Sequence, residues 1–107
     1  MTPREVFAVM RQGWLDGTTS PSAAVWAEDM VIEQPFAAPG RPKRVEGRDN
    51  WRRVVAETRP DPLPVTFEEC TTIAIHDTAD PDVIVVEYEL VATVNATGER
   101  EIGRAHV

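Results

Sequence analysis

A chain of 107 residues, 42% hydrophobic and with a single cysteine, holds one domain around one core and cannot close an internal disulfide. Its net charge of −7 repels a phosphate backbone and argues against general nucleic-acid binding, and no apolar stretch approaches the roughly 20 residues a membrane helix needs. The opening Met1-Thr2-Pro3-Arg4-Glu5 lacks the apolar run of a secretory signal, so a reducing, cytoplasmic location is the default expectation.

Thr2-Pro3-Arg4-Glu5 has the form of a capping box with proline at the first helical position. Phe7, Met10 and Trp14 then recur at helical spacing, which predicts an amphipathic first helix stopped at Gly17. Ser20-Pro21 predicts the cap of a second, short helix whose small apolar face runs from Ala23 to Ala27 and includes Trp26. A strand is expected from Met30 to Phe36. Strand alternation would put Gln34 on the apolar face with Met30 and Ile32, and Glu33 on the other face with Val31. An amide among apolar neighbours finds a hydrogen-bond partner or costs about 1–3 kcal/mol, and either the backbone or a bound ligand can be that partner. Prolines and Gly40 make 37–42 a loop, and 47–59 reads as a third helix with Trp51, Val54, Val55 and Thr58 on one stripe.

Pro60-Asp61-Pro62-Leu63-Pro64 is a stiff connector, and everything after it reads as sheet. Simple alternation puts Val65, Phe67, Thr71, Ile73 and Ile75 on one face of a long strand, with Cys70 and His76 on the other. The turn at 77–82 leads into a strand with an apolar face of Ile84, Val86, Tyr88, Leu90, Ala92 and Val94. The turn at 95–98 leads into a last strand over 99–107. Three N-terminal helices packed on a curved antiparallel sheet make an α+β domain, a cone enclosing a pocket.

Arg41, Lys43, Arg44, Arg48, Arg52 and Arg53 are more than half of the 11 basic residues, so one region is locally basic within an acidic protein. Such a cluster is either a solvated surface or a site attracting a carboxylate or phosphate. Cys70, His76 and His106 have no metal-ligand spacing, so no metal is expected, and Cys70 reads as core filler. His76 reads as a solvated strand end. Trp14, Trp26, Trp51 and Tyr88 either fill the core or line an apolar ligand cavity, with Trp14 and Trp51 placed nearest to it.

The order of elements, the run from Trp26 to Phe36, Pro39-Gly40, Gly47-Arg48 and Val86-Glu87-Tyr88 resemble the SnoaL-like family of the nuclear transport factor 2-like superfamily, which includes ketosteroid isomerases and polyketide cyclases. The resemblance covers nearly the whole chain and implies a cone-shaped, cystatin-like α+β barrel, apparently shortened by about two C-terminal strands. It also implies an apolar pocket for a small organic molecule. In ketosteroid isomerases a catalytic aspartate precedes the proline of a Glu-Asp-Pro sequence, and the matching residues here are Glu33-Gln34-Pro35, so the proton-abstracting carboxylate is missing. Gln34 can orient a carbonyl but has no basicity near neutral pH. The family's oxyanion-hole tyrosine corresponds to Met10, and its second acid falls near His106 and Val107.

Two functional classes follow from the resemblance. One is a cofactor-independent isomerase, cyclase or dehydratase, with Gln34 polarising a carbonyl and Glu33 or His106 moving a proton; its pocket comprises Met10, Trp14, Gln34, Trp51 and Tyr88. The other is a non-catalytic ligand-binding or dimerisation module. An open edge at the last strand favours a homodimer.

Overall fold

The computed structural model describes residues 1–17, 25–58 and 64–107, apart from the side chain of His106. Helix α1, Pro3–Leu15, starts on a complete capping box: Thr2 Oγ1 accepts from the Glu5 N–H at 3.2 Å, and Glu5 Oε2 accepts from the Thr2 N–H at 3.4 Å. Two orphan donors are thereby satisfied, and Pro3 sits where a helical N–H would have no partner. The helix buries Phe7 and half-buries Met10 and Trp14 on one stripe. The short helix expected from Ser20 to Ala27 lies largely in 18–24, outside the described residues, as does most of the proline-rich connector. The described residues contain two helices, α1 and the later α2.

The expected strand over Met30–Phe36 is much shorter. Strand β1 covers only Val31–Glu33, and it pairs antiparallel with β2, Arg44–Glu46, a strand too short to leave an alternation pattern in the sequence. Pro35 supplies the physical reason: it has no N–H to donate, so the last rung is the Gln34 N–H to the Lys43 carbonyl at 2.7 Å. The chain then turns, with the Ala37 N–H closing on the Gln34 carbonyl at 3.0 Å, and Phe36 is left 94% exposed. Within the short ladder Ile32 opposes Val45, which is buried, and Glu33 opposes Arg44. Helix α2, Arg48–Thr58, follows with the stripe its sequence predicts: Trp51 is buried, and Val54, Val55 and Thr58 are half-buried.

Strands β3 (Val65–Asp77), β4 (Ile84–Val94) and β5 (Arg100–His106) form an antiparallel meander in the order β3-β4-β5. Along the face assigned to β4, Val86, Tyr88 and Ala92 are buried, and Val91 on the opposite face is buried as well. The assignment for β3 requires correction. Register shifts between Phe67 and Glu69 and between Thr72 and Ala74 each insert one residue, so the inward set becomes Val65, Phe67, Cys70, Thr72 and Ile75. Cys70 is therefore core, 2% exposed, and Ile73 is thrown outward at 52%. Each bulge reverses which face every later side chain meets, which is why unbroken alternation misplaces them.

Phe7, Cys70, Val86 and Tyr88 form the core, with Trp14, Leu15, Ile75, Ile84 and Leu90 packed against it. Helix α1 is fastened to β3 by Arg11 Nε donating to the Cys70 carbonyl at 2.8 Å and by the exposed Arg4–Asp77 ion pair at 3.1 Å. The first is the stronger tie, because the second is screened by solvent.

Candidate functional site

The two small layers, α1 with the large sheet and α2 with the β1–β2 ladder, leave a hollow of about 360 Å³ between them. Its lining draws on both described helices and both sheets: Met10 and Trp14 from α1, Ile32 and Glu33 from β1, Gln34 just beyond it, Trp51 from α2, Tyr88 from β4, and Trp26 and Val107. The size falls in the usual range for small-ligand sites, roughly 300–1,000 Å³. A wider trough of about 470 Å³ lies at the other end of the sheet, lined by Met1, Pro3, Val6, Asp82, Val83 and Ile84. It is shallow and has one charged side chain, so it lacks the converging polar groups of a ligand site.

The aromatic wall is a continuous ring cluster. Trp14 stacks on Tyr88 with centroids 5.2 Å apart and planes at 28°, and Phe7 touches both, edge-on to Trp14 at 6.3 Å and tilted against Tyr88 at 5.8 Å. These contacts fix the rings before any ligand arrives. Burial, and secondarily the neighbouring Cys70, push the Tyr88 phenol above its ordinary value. It therefore stays protonated near neutrality and can donate, and its hydroxyl makes no hydrogen bond to another described residue. Burial likewise raises the Cys70 thiol, with Arg11 opposing, which keeps it an inert thiol.

The opposite wall carries the polar groups. Gln34 was expected on the buried face of a strand; instead, Pro35 ends the ladder and leaves the amide exposed at the mouth, still lining the hollow. Its side chain has no hydrogen-bond partner among the described residues. Glu33 also borders the hollow, and its carboxylate is held by Arg44, its cross-strand partner. Arg44 is shared with Glu46, whose Oε1 accepts from Nε at 3.1 Å and Nη2 at 3.0 Å. The hydrogen bonds that Arg44 donates to Glu46, opposed by desolvation and aided by the charge of Glu33, raise the Arg44 pKa and make it a fixed cation. Arg48 holds the rim in place by donating through Nη1 to the Trp26 carbonyl at 3.1 Å, while its N–H meets the Glu28 carbonyl at 3.0 Å.

The hollow thus brings together Met10, Trp14, Glu33, Gln34, Trp51 and Tyr88. The His106 side chain lies outside the described set; its backbone pairs with Glu87 on β4. His76 lies elsewhere, 3.0 Å from Glu87 on the exposed face. Ile32 is a lining residue that the sequence reading does not place in the pocket, although its position in the apolar run is the available signal; Val107 enters that reading only through the resemblance, beside His106 at the place of the family's second acid. No group of three or more metal-ligating side chains occurs among the described residues, and no helix there is long and apolar enough to cross a membrane.

Comparison with solved structures gives the fold a context. A Bacillus subtilis protein provisionally assigned as an isomerase superposes with a TM-score of 0.80 at 21% identity, over 96% of this chain and 72% of its own. The Δ5-3-ketosteroid isomerase of a Mycobacterium species superposes with a TM-score of 0.70 at 20% identity, over 99% of this chain and 80% of its own. At those identities the likeness is one of fold. No curated protein sequence matches the chain. The SnoaL-like domain family matches residues 4–106, nearly the full length, and this chain belongs to that family.

Proposed function

We propose that this SnoaL-like domain binds a small, ring-containing apolar organic molecule in the tryptophan-lined hollow and orients its carbonyl or hydroxyl group with Gln34 and Tyr88. The observation that carries this reading is the convergence of Met10, Trp14, Trp26, Trp51 and Tyr88 on one cavity whose rim has an unpaired amide. Apolar walls supply affinity through burial, and a small number of directional groups supply orientation. No cofactor is invoked.

A neutral fluorescent naphthyl probe, N-phenyl-1-naphthylamine, tests the reading. Wild-type protein is expected to bind it and quench its own tryptophan emission, and Met10→Trp, which fills the hollow from α1, is expected to weaken binding at least tenfold with the urea midpoint retained. Equal binding by both proteins would refute the cavity as the site.

A second, catalytic reading is favoured by Glu33, a carboxylate one residue from Gln34 on the same hollow. In it Gln34 polarises a carbonyl and Glu33, or His106, carries a proton in an isomerase, cyclase or dehydratase reaction. Gln34→Asp restores a carboxylate before Pro35; conversion of a simple β,γ-unsaturated ketone to its conjugated isomer by that variant alone would favour the binding module. Turnover by the wild type, lost in Glu33→Gln, would favour the enzyme. Self-association belongs to the same proposal: the outer edge of β5 has no partner strand among the described residues, and Ile102 is 67% exposed beside it. Sedimentation of the purified chain checks it.

A further inference from the structure

The locally basic segment resolves, residue by residue, into cations that are already engaged and cations that are not. Arg44 is held by Glu33 and Glu46, Arg52 by Asp49 at 3.6 Å, Arg53 donates to Asn50 at 3.1 Å, and Arg48 to the Trp26 carbonyl. Arg41 and Lys43 are left, with no side-chain partner among the described residues. Of these two, Arg41 borders a recess of about 30 Å³, together with Pro42, Val54, Val55, Thr58, Gln34 and Trp51.

Gln34 and Trp51 line this recess and the large hollow alike, so the two spaces meet across them. The Thr58 hydroxyl in the recess is spent on the Val54 carbonyl at 2.6 Å. The polar groups with open donors are then the Gln34 amide, the Trp51 indole N–H and the Arg41 guanidinium, of which Arg41 alone is charged. A guanidinium presents two parallel N–H groups matched to a carboxylate, and an adjacent amide N–H can serve the same anion.

Resting on the ligand-binding reading above, we propose that the ligand is an organic acid. Its apolar ring system lies in the tryptophan hollow, and its anionic group reaches past Gln34 to Arg41. An acidic protein that keeps one uncompensated guanidinium at the end of an apolar cavity selects an amphipathic anion over a neutral molecule of the same shape, because Glu33, the acid on the hollow, is already paired with Arg44. Since the pair forms at an exposed rim, its contribution is modest, about fivefold in affinity.

Two probes with the same ring skeleton isolate that contribution: 8-anilinonaphthalene-1-sulfonate and its uncharged counterpart N-phenyl-1-naphthylamine. Titrations of wild type, Arg41→Gln and Lys43→Gln are read as the ratio of the two dissociation constants. Arg41→Gln is expected to weaken the anionic probe about fivefold and the neutral probe less than about 1.5-fold, with Lys43→Gln leaving the ratio within about 1.5-fold of wild type. A ratio unmoved by Arg41→Gln, or moved equally by Lys43→Gln, overturns the Arg41 subsite while the cavity reading stands on its neutral-probe binding. If wild type binds neither probe, both readings fall together.

Discussion

Trp14 joins the core to the cavity, and its replacement by alanine measures how much of the fold depends on that junction. The indole is half-buried, stacked on Tyr88 at 5.2 Å and edge-on to Phe7 at 6.3 Å. Removing a fully buried large aromatic costs about 3–5 kcal/mol, and the part of Trp14 already facing the hollow reduces that figure. That figure already includes the two ring contacts, so the net cost is about 3 kcal/mol, at the low end of the range. Small domains have about 5–15 kcal/mol in total, so the variant should remain folded but fragile. With a urea slope of about 1.5 kcal/mol per molar, the unfolding midpoint should fall by about 2 M, while Trp14→Phe, which keeps a ring on Tyr88, should lose less than half as much. A midpoint displaced by under about 0.5 M in Trp14→Ala would show that the ring cluster contributes little, and the prearranged cavity wall argued from it would be wrong.

Gly47 has φ +90°, where a side chain is strained, and its N–H bonds the Met30 carbonyl at 2.7 Å. Gly47→Ala should therefore cost about 1–2 kcal/mol in urea unfolding and weaken cavity binding with it, and a neutral result would refute the strain argument. Burial raises both Cys70, from an ordinary 9.0, and Tyr88, from an ordinary 10.0. Each holds its proton more tightly folded than unfolded, so stability should be level up to about pH 8.5 and fall as the unfolded groups ionise first; Cys70→Ala should remove the earlier part of that fall. Urea midpoints measured from pH 7 to 10.5 check the sign, and a rise with pH would contradict it.

Much of the architecture was legible without coordinates, because its signals are local. The capping box at Thr2–Glu5, the stripe of Trp51, Val54, Val55 and Thr58, and the alternation from Ile84 to Val94 each depend on backbone periodicity alone, and each reappears in the fold. The fold family followed from the same elements in order. Tertiary structure alone decided the features that arise between distant segments. The bulges in β3 reversed the faces of Cys70 and Ile73, since an inserted residue is set by pairing with β4 rather than by the β3 sequence. Strand β2 is three residues long and exists because β1 pairs with it, which binds Glu33 to Arg44 and carries Gln34 to the mouth of the hollow. The Arg52–Asp49 and Arg44–Glu46 pairs are local in sequence, but that Glu33 reaches Arg44 across the β1–β2 ladder and that Arg41 is left without a side-chain partner among the described residues beside the cavity are set by tertiary placement, of which charge composition contains no record.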